Sequence, residues 1–294
     1  MTSMSDVQTA TTGSGSSTGT PARPLRNPLA RERRVVLLGQ VGLLAILFSA
    51  WEYGGRTGLI NPRLFSYPTL IVERIASMLG GESLYGHTIF EHLGATGQAL
   101  AIGFAIGAAL GVTLGFVLGN SAFLARVFEP YLLGIYSIPK IAIAPLFVLM
   151  FGIGLESKIA VVVMGVFFMV FFSTFAGVLG VNEEQVNIAR IMGARGRDVA
   201  RRIVIPAALP SILLGLKLGI PFGVIGAIIG EYIAATQGIG WLIIRSTSFF
   251  DASGLFASLF FLVAATWALS QLVSLIESRA LRWQPQRRQE LVNY

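Results

Sequence analysis

Long segments without a charged residue constrain this chain more than any other feature of its sequence. Residues 93–125, for example, contain no Asp, Glu, Lys or Arg. A helix of about 20 apolar residues crosses the hydrocarbon core of a bilayer, whereas buried helices of soluble proteins are usually interrupted sooner. In total, 54% of the 294 residues are hydrophobic and 13% are charged. The sequence therefore predicts an all-α polytopic membrane protein, since the strands of a membrane barrel would alternate in polarity.

Six transmembrane helices are predicted from these segments. We place them at residues 35–53, 93–125, 131–151, 159–181, 212–235 and 252–276. Pro139 and Pro145 remove backbone donors from the third span, and we expect them to kink it. The fourth span carries five phenylalanines within residues 167–175. Lipid contact, filling of gaps between helices and a ligand cage are the alternatives for these rings.

The composition of the sequence divides the chain into three predicted parts. Residues 1–34 are rich in Ser, Thr, Gly and Pro, and we predict a disordered cytoplasmic N-terminal tail. This leader is too long for an ordinary signal-peptide n-region and no clear cleavage site follows, so the first span is expected to be retained. Residues 35–281 form the predicted transmembrane domain, and residues 282–294 a cytoplasmic C-terminal tail.

The distribution of Arg and Lys predicts the orientation in the membrane. With the N-terminus inside, the inner segments hold fifteen of these residues and the outer segments five. This positive-inside bias predicts that both termini and the segment between the fourth and fifth spans are cytoplasmic. The net charge of +7 is then explained by topology and does not indicate a nucleic-acid partner. The chain has no cysteine, so it can form neither a disulfide nor a thiol metal site.

Glycines recur at every fourth position of the second span. They are Gly103, Gly107, Gly111, Gly115 and Gly119. Such a ladder lets another helix approach to backbone distance. Packing within one subunit is the first interpretation, and a seam between two subunits is the alternative.

One charged segment interrupts the apolar sequence, at residues 187–210, "NIARIMGARGRDVARRIVIPAALP". Apolar residues recur in it with helical spacing on both sides of Gly193, up to Pro206. We predict two short helices joined at this glycine, with charge on their outer faces. A short amphipathic helix just outside the bilayer is suited to a groove on a partner protein.

The spacing of this insert resembles the EAA signature of permease subunits of binding-protein-dependent ABC importers, E-A-A, three residues, G, nine residues, I-x-L-P. Ala189, Gly193, Ile203 and Pro206 match that pattern. Asn187 stands where the family has Glu, Ile188 where it has the first Ala, and Ile205 where it has Leu.

Four further segments resemble blocks of the nitrate, sulfonate and taurine branch of this family. They are "LFSYPTLIVERI", "SIPKIAIAPLFVLMFGIGLESK", "IPAALPSILLGLKLG" and "GEYIAATQGIGWLI". The resemblance covers roughly residues 35–285 and includes these blocks in order. It implies a type I ABC importer permease fold with a cytoplasmic coupling-helix insert.

The resemblance also implies a function and partners. The chain would be the permease subunit of an ATP-driven importer in the bacterial inner membrane, with residues 35–281 as the permease domain. Its expected partners are cytoplasmic ABC ATPase subunits, an extracytoplasmic solute-binding protein, a second permease copy and membrane lipid. The coupling residues carried over are Asn187, Ala189, Gly193, Ile203 and Pro206. Small anions such as sulfonates, taurine or nitrate are the favoured substrates, and pyrimidine or vitamin precursors are the alternative.

We expect no catalytic residue, cofactor or metal in this chain. No G-x-x-x-x-G-K-[ST] phosphate-binding loop occurs in the sequence, so ATP and Mg²⁺ are expected in the partner subunit. His87 and His92 are five residues apart, which would point them to different helix faces as surface histidines. An embedded enzyme would need converging acid-base, nucleophilic or metal groups, and none converges in the sequence. A non-transporting scaffold is the other alternative.

Three ionisable residues lie inside the third and fifth predicted spans, where such residues are functional candidates. Lys140 is a translocation-path candidate that could meet an anionic substrate or cap carbonyls freed by Pro139. Glu231 is a second candidate, with a structural hydrogen-bond role as the alternative. Lys217 is expected to extend to the cytoplasmic surface. A secondary transporter would need coupling-ion groups at mid-membrane, and a single Glu without Asp or His in the third and fifth spans argues against a proton relay.

Overall fold

The structure is a computed structural model that describes residues 28–281, with side chains from residue 35 onward. The described part consists of helices joined by short turns and loops, with one isolated antiparallel bridge between Leu84 and His87. The first helix, α1 (Pro28–Arg56), begins inside the segment predicted to be disordered. The rest of the predicted N-terminal tail and the predicted C-terminal tail lie outside the described residues.

Eleven further helices follow α1 in the described part of the chain. They are α2 (Pro62–Phe65), α3 (Pro68–Leu79), α4 (Ile89–Gly119), α5 (Ala122–Tyr136), α6 (Lys140–Phe151), α7 (Leu155–Leu179), α8 (Glu183–Ile191), α9 (Gly196–Val199), α10 (Ile205–Ala234), α11 (Ile239–Ser248) and α12 (Ala252–Ala280). A π-helical turn, Ala200–Val204, joins α9 to α10.

Five helical segments of the described chain are long and apolar enough to cross a membrane. They are Val35–Arg56, Ile89–Gly119, Leu155–Leu179, Gly196–Ala234 and Ala252–Ala280. Helices α5 and α6 form a sixth crossing if the bent pair is counted as one span. The all-α polytopic architecture predicted from the uncharged segments is therefore confirmed.

The third predicted span is not one kinked helix. Helices α5 and α6 meet at 91°, and Pro139 lies between them with φ −60° and ψ 116°. The prediction of a kink was too mild, because an extended residue at the break ends one helix and starts another. Pro145, by contrast, lies inside α6 without ending it.

Helix α4 starts four residues before the predicted second span. The Thr88 hydroxyl accepts from the Glu91 amide at 3.4 Å, and the Glu91 carboxylate accepts from the Thr88 amide at 2.7 Å. This reciprocal capping box satisfies two donors at the helix start. It fixes the start of α4 at Ile89.

Helix α7 lies between α4 and α10, and glycines on both neighbours face it. A Cβ added at Gly107 would lie 2.9 Å from the Val163 carbonyl oxygen, and one at Gly115 would lie 2.8 Å from that of Phe171. The predicted glycine ladder of α4 therefore packs within one chain. Because α7 occupies that face, it is not available as a seam between subunits.

A second glycine ladder, on α10, was missed in the sequence. It consists of Gly215, Gly219, Gly223, Gly226 and Gly230, all buried. A Cβ at Gly226 would lie 2.9 Å from the Val161 carbonyl oxygen, and one at Gly215 would lie 2.6 Å from the Ser173 Cβ. The spacing of four, with one step of three, was the available signal. The two ladders hold three long helices at backbone distance.

The phenylalanines of α7 fill space between helices. Phe171 and Phe175 are buried in a cluster with Leu118 and Ala125, and their rings stack at 5.6 Å. Phe168 is also buried, and its ring lies 5.5 Å from that of Tyr136. Gap filling is thus the role that the structure gives to this part of the aromatic segment.

Candidate functional site

The charged insert folds as two short helices with a turn between them. Asn182 caps α8, accepting from the Glu184 amide at 2.8 Å, and Glu183 and Glu184 occupy the positive N-terminal turn. After α8, Gly193 adopts φ +86°, a left-handed conformation that favours glycine. The predicted pair of helices joined at Gly193 is therefore present.

The second half of the insert continues into the membrane span. Helix α9, the π-helical turn and α10 form one helical segment from Gly196 to Ala234. Pro206, predicted to end the second short helix, lies instead at the start of α10 directly after the π-helical turn. There its missing amide is tolerated, because the wider turn has already interrupted the regular hydrogen-bond ladder.

Helix α8 has two apolar faces. Val186 and Ala189 pack inward against the cluster that contains Val199 and Val204. At the end of α8, Ile191 is 86% exposed, and Met192, which follows it, is 83% exposed. The sequence prediction placed charge on the outer faces, which is wrong at this tip. The sequence pattern did not distinguish Ile191 and Met192 from the inward-facing apolar residues, because both sets recur with the same helical spacing.

The remaining signature residues have different surroundings. Asn187 is exposed and lines a cavity of about 410 Å³ together with Glu183 and Arg190. Ile203 and Pro206 are half-buried in the continuous helix. The structure therefore brings the five predicted coupling residues to one end of the bundle, with Asn187 at the surface.

Glu231 lies in a buried junction at the opposite end of α10. Its side chain is fully buried, and its carboxylate accepts from the Thr96 hydroxyl at 2.8 Å and from the Gly240 amide at 2.7 Å. The Thr96 hydroxyl oxygen in turn accepts from the Ile239 amide at 2.8 Å. These contacts fit the hydrogen-bonding alternative, because they tie α4, α10 and the start of α11 together.

His92 belongs to the same junction, so its prediction as a surface histidine was wrong. Its side chain is fully buried, and Nδ1 accepts from the Gly238 amide at 3.0 Å. The spacing argument failed because His87 precedes the helix cap at Thr88 and does not share the helix with His92. The two rings are in contact, with centroids 5.7 Å apart.

Glu231→Ala is expected to lower the free energy of unfolding by about 2 kcal/mol or more. The substitution leaves the Gly240 amide without its buried acceptor and leaves the Thr96 hydroxyl only the His92 carbonyl at 3.1 Å. Thermal unfolding of the purified chain in detergent measures the loss. Glu231→Gln is the matched control, since it keeps one carbonyl oxygen for the Gly240 amide and is expected to lose less. An unchanged midpoint in the alanine variant would contradict the junction's structural role.

The three lysines of the chain all lie near apolar helices, in different environments. Lys217 forms an ion pair with Glu277, near the end of α12, and its predicted extension to the cytoplasmic surface stays a prediction. Lys158, assigned to an outer segment, is buried at the start of α7 and donates to the Gln237 carbonyl at 3.3 Å. Lys140 opens α6 and faces aromatic rings.

Apolar spans with a short two-helix insert at one end define a multi-pass membrane protein. Comparison with known families agrees with this class. Residues 95–280 match the binding-protein-dependent transport system inner membrane component family. The chain belongs to this family and is the transmembrane subunit of an ABC importer.

Named relatives align over most of the chain. It is 28% identical to the putative aliphatic sulfonates transport permease protein SsuC of Bacillus subtilis (strain 168), covering 92% of this chain and 95% of the relative. It is 28% identical to the taurine transport system permease protein TauC of Escherichia coli (strain K12), covering 88% and 92%. It is 34% identical to the formylaminopyrimidine transport permease protein ThiX of Halalkalibacterium halodurans, covering 74% and 84%.

Solved structures show the same fold. A chain of the MetNI methionine ABC transporter in an inward-facing conformation superimposes with a TM-score of 0.52 at 22% identity. The match covers 72% of this chain and 98% of that chain. The type I importer permease fold implied by the sequence resemblance is therefore confirmed.

Proposed function

We propose that this permease imports small organic sulfonates, with taurine as a representative solute. The support is the alignment over most of both chains with permeases named for aliphatic sulfonates and for taurine. We further propose that it works as a homodimer in the bacterial inner membrane, with an extracytoplasmic solute-binding protein that delivers the solute.

The observation that carries the proposed coupling is the exposed tip of the insert. Ile191 and Met192 are large apolar side chains held outside the bundle by a turn that needs Gly193. Exposed apolar side chains on a short helix are typical of helix-in-groove recognition. We propose that this tip docks on a cytoplasmic ATPase subunit, which binds the ATP and Mg²⁺.

The structure suggests how such docking drives transport. Movement of α9 passes into the membrane without a break, because the helical segment Gly196–Ala234 is continuous. Helix α10 carries this movement along α7, which it contacts through its glycine ladder. At its far end, α10 holds the Glu231 junction and the start of α11. In this proposal, closure of two ATPase subunits at the cytoplasmic insert changes the conformation of the permease at the outer end of the solute pathway.

Two alternatives have specific tests. The relative named for formylaminopyrimidine favours a heterocyclic vitamin precursor as the solute. A gradient-driven transporter would move solute without an ATPase. In the proposed orientation, both termini and the insert lie on the cytoplasmic side, as the arginine distribution predicts.

The proposed function is tested with the full-length permease, its ATPase and its binding protein in proteoliposomes. Labelled taurine and ethanesulfonate should accumulate only with ATP and Mg²⁺, and dissipation of ion gradients should leave uptake unchanged. Uptake without the ATPase would disprove the ABC mechanism. Uptake of a formylaminopyrimidine in place of either sulfonate would move the proposal to the alternative solute.

Gly193→Val is expected to reduce transport and binding-protein-stimulated ATP hydrolysis together. A Cβ at this position meets no atom within 4 Å, so the effect comes from the backbone, whose φ of +86° is costly for a β-branched residue by about 1–3 kcal/mol. Gly193→Asn is the control, because Asn tolerates this conformation. Solute binding to the binding protein should not change. Wild-type coupling in the valine variant would remove the turn from the mechanism.

A further inference from the structure

Lys140 lies at the break of the third span, surrounded by aromatic rings from three helices. Its Nζ lies 4.5 Å from the ring centroid of Tyr136 in α5. The centroids of Phe168 in α7 and Phe222 in α10 are each 5.9 Å away. All three distances are within the range of cation–π attraction, which holds the ammonium in place.

This ammonium lies far from either end of the helices that surround it. Phe168 is about 20 Å of helix from the start of α7 at Leu155 and about 17 Å from its end at Leu179. Phe222 is about 26 Å from the start of α10 and about 18 Å from its end. Lys140 is therefore near mid-depth, out of reach of lipid phosphates at the membrane surface.

Lys140 differs from the two other lysines in what it contacts. Lys217 has the Glu277 carboxylate and Lys158 has the Gln237 carbonyl. Among the described residues, no oxygen accepts a hydrogen bond from Lys140 Nζ and no carboxylate pairs with it. Glu231, the acidic residue buried in α10, already accepts from Thr96 and Gly240. Capping of carbonyls freed by Pro139 is likewise not seen among these contacts.

The chemistry of this site favours an anion with several oxygens. An ammonium carries three donors, and rings attract its charge without supplying the acceptors that those donors require. A cation at mid-membrane depth is costly unless it is paired. A sulfonate group offers three acceptor oxygens and one negative charge, while the rings can contact the carbon chain attached to it.

We propose that Lys140, with Tyr136, Phe168 and Phe222, forms a transient binding site for the sulfonate group of the transported solute inside the permease. This inference rests on the proposed function and specifies which residues contact the solute there. Selection by the binding protein would then be followed by a second, charge-dependent step within the membrane. A neutral heterocycle would not use the charge of Lys140.

The absence of cysteine allows the charge to be removed and then restored at residue 140, on a side chain one atom longer than Lys. Lys140→Cys is placed in the full complex in proteoliposomes, and labelled taurine and ethanesulfonate uptake is measured before and after thiol labelling. Aminoethyl methanethiosulfonate forms a disulfide with the introduced thiol, releases methanesulfinate and leaves an ammonium. Methyl methanethiosulfonate leaves a neutral methylthio group.

We expect Lys140→Cys to lower sulfonate uptake by at least about tenfold, as expected for one charge-assisted hydrogen bond. Aminoethyl labelling should restore most of the uptake, whereas methyl labelling should not. Each comparison uses the same folded polypeptide before and after labelling, so a folding defect cannot produce this pattern. The wild-type complex given the same reagents is the control, since its permease has no thiol.

The outcomes separate the inference from the function on which it rests. If the wild-type complex imports sulfonates and Lys140→Met or Lys140→Cys imports them equally well, the inference alone is overturned. Equal recovery with the charged and neutral labels, or no recovery with either, would overturn it as well. Absence of sulfonate uptake by the wild-type complex would overturn the proposed function and, with it, the sulfonate site.

Discussion

Gly111→Val is expected to abolish most of the folded permease. A Cβ at Gly111 would lie 2.8 Å from the Val170 Cβ, 2.9 Å from the Phe167 carbonyl oxygen and 3.0 Å from the Phe171 amide nitrogen. Two of these atoms belong to the backbone of α7, so side-chain rotation cannot relieve the clash. Overpacking of this kind costs about 3 kcal/mol or more, a large part of a typical folding free energy. Size-exclusion profiles and thermal midpoints of the detergent-purified chain measure the loss.

The same helix provides a matched control. Gly97 is exposed in α4, and an added Cβ there meets no atom within 4 Å. Gly97→Val therefore introduces the same side chain without a clash, and the higher helix propensity of Val than of Gly should leave stability unchanged or slightly improved. If both variants were equally stable, close helix approach would not be what the glycine ladder provides.

The glycine ladder and the turn of the insert could be predicted because each depends on local sequence. A repeat of four places glycines along one helical stripe, whichever helix packs against it. Gly193 interrupts a helical pattern, and a left-handed residue at that point is the usual way to end a helix and redirect the chain. Which helix contacts the ladder was not predictable, since α7 is chosen by the whole bundle.

The broken third span shows where local reasoning failed. Pro139 indicates a lost hydrogen bond, but the 91° angle depends on how α6 packs against α7 and α10. The Glu231 junction is non-local too, because it joins Thr96 to a residue 135 positions later. No periodic pattern records such a pair. The Thr88–Glu91 capping box, in contrast, was readable and would have placed the start of α4 correctly.

The two faces of α8 could not be distinguished in the sequence because partner contacts and core contacts use the same residue types. Val186 and Ala189 contact the permease itself, while Ile191 and Met192 extend away from it. Only the structure shows which apolar residues remain without a partner inside the chain. The structure therefore identifies Ile191 and Met192 as the candidate partner contacts of the insert.

Ile191→Asp is expected to abolish ATP-dependent transport while leaving the permease folded. Ile191 is 86% exposed, so a carboxylate there costs the isolated chain little. In the proposed complex, the same carboxylate would be moved from water into an apolar groove, at a cost of several kcal/mol. Co-purification of the ATPase and binding-protein-stimulated ATP hydrolysis should both fall by at least about 100-fold, equivalent to roughly 3 kcal/mol.

A conservative change at the same position separates docking from folding. Ile191→Leu keeps the apolar area and should retain most ATPase association and transport. The purified wild-type, Ile191→Leu and Ile191→Asp permeases should have the same thermal midpoint. An unchanged thermal midpoint of the Ile191→Asp permease is needed for this test, because a general loss of stability would also reduce complex formation. Wild-type ATPase association by a folded Ile191→Asp permease would show that the partner contacts another part of the insert, since a desolvated carboxylate at the centre of the contact could not be tolerated.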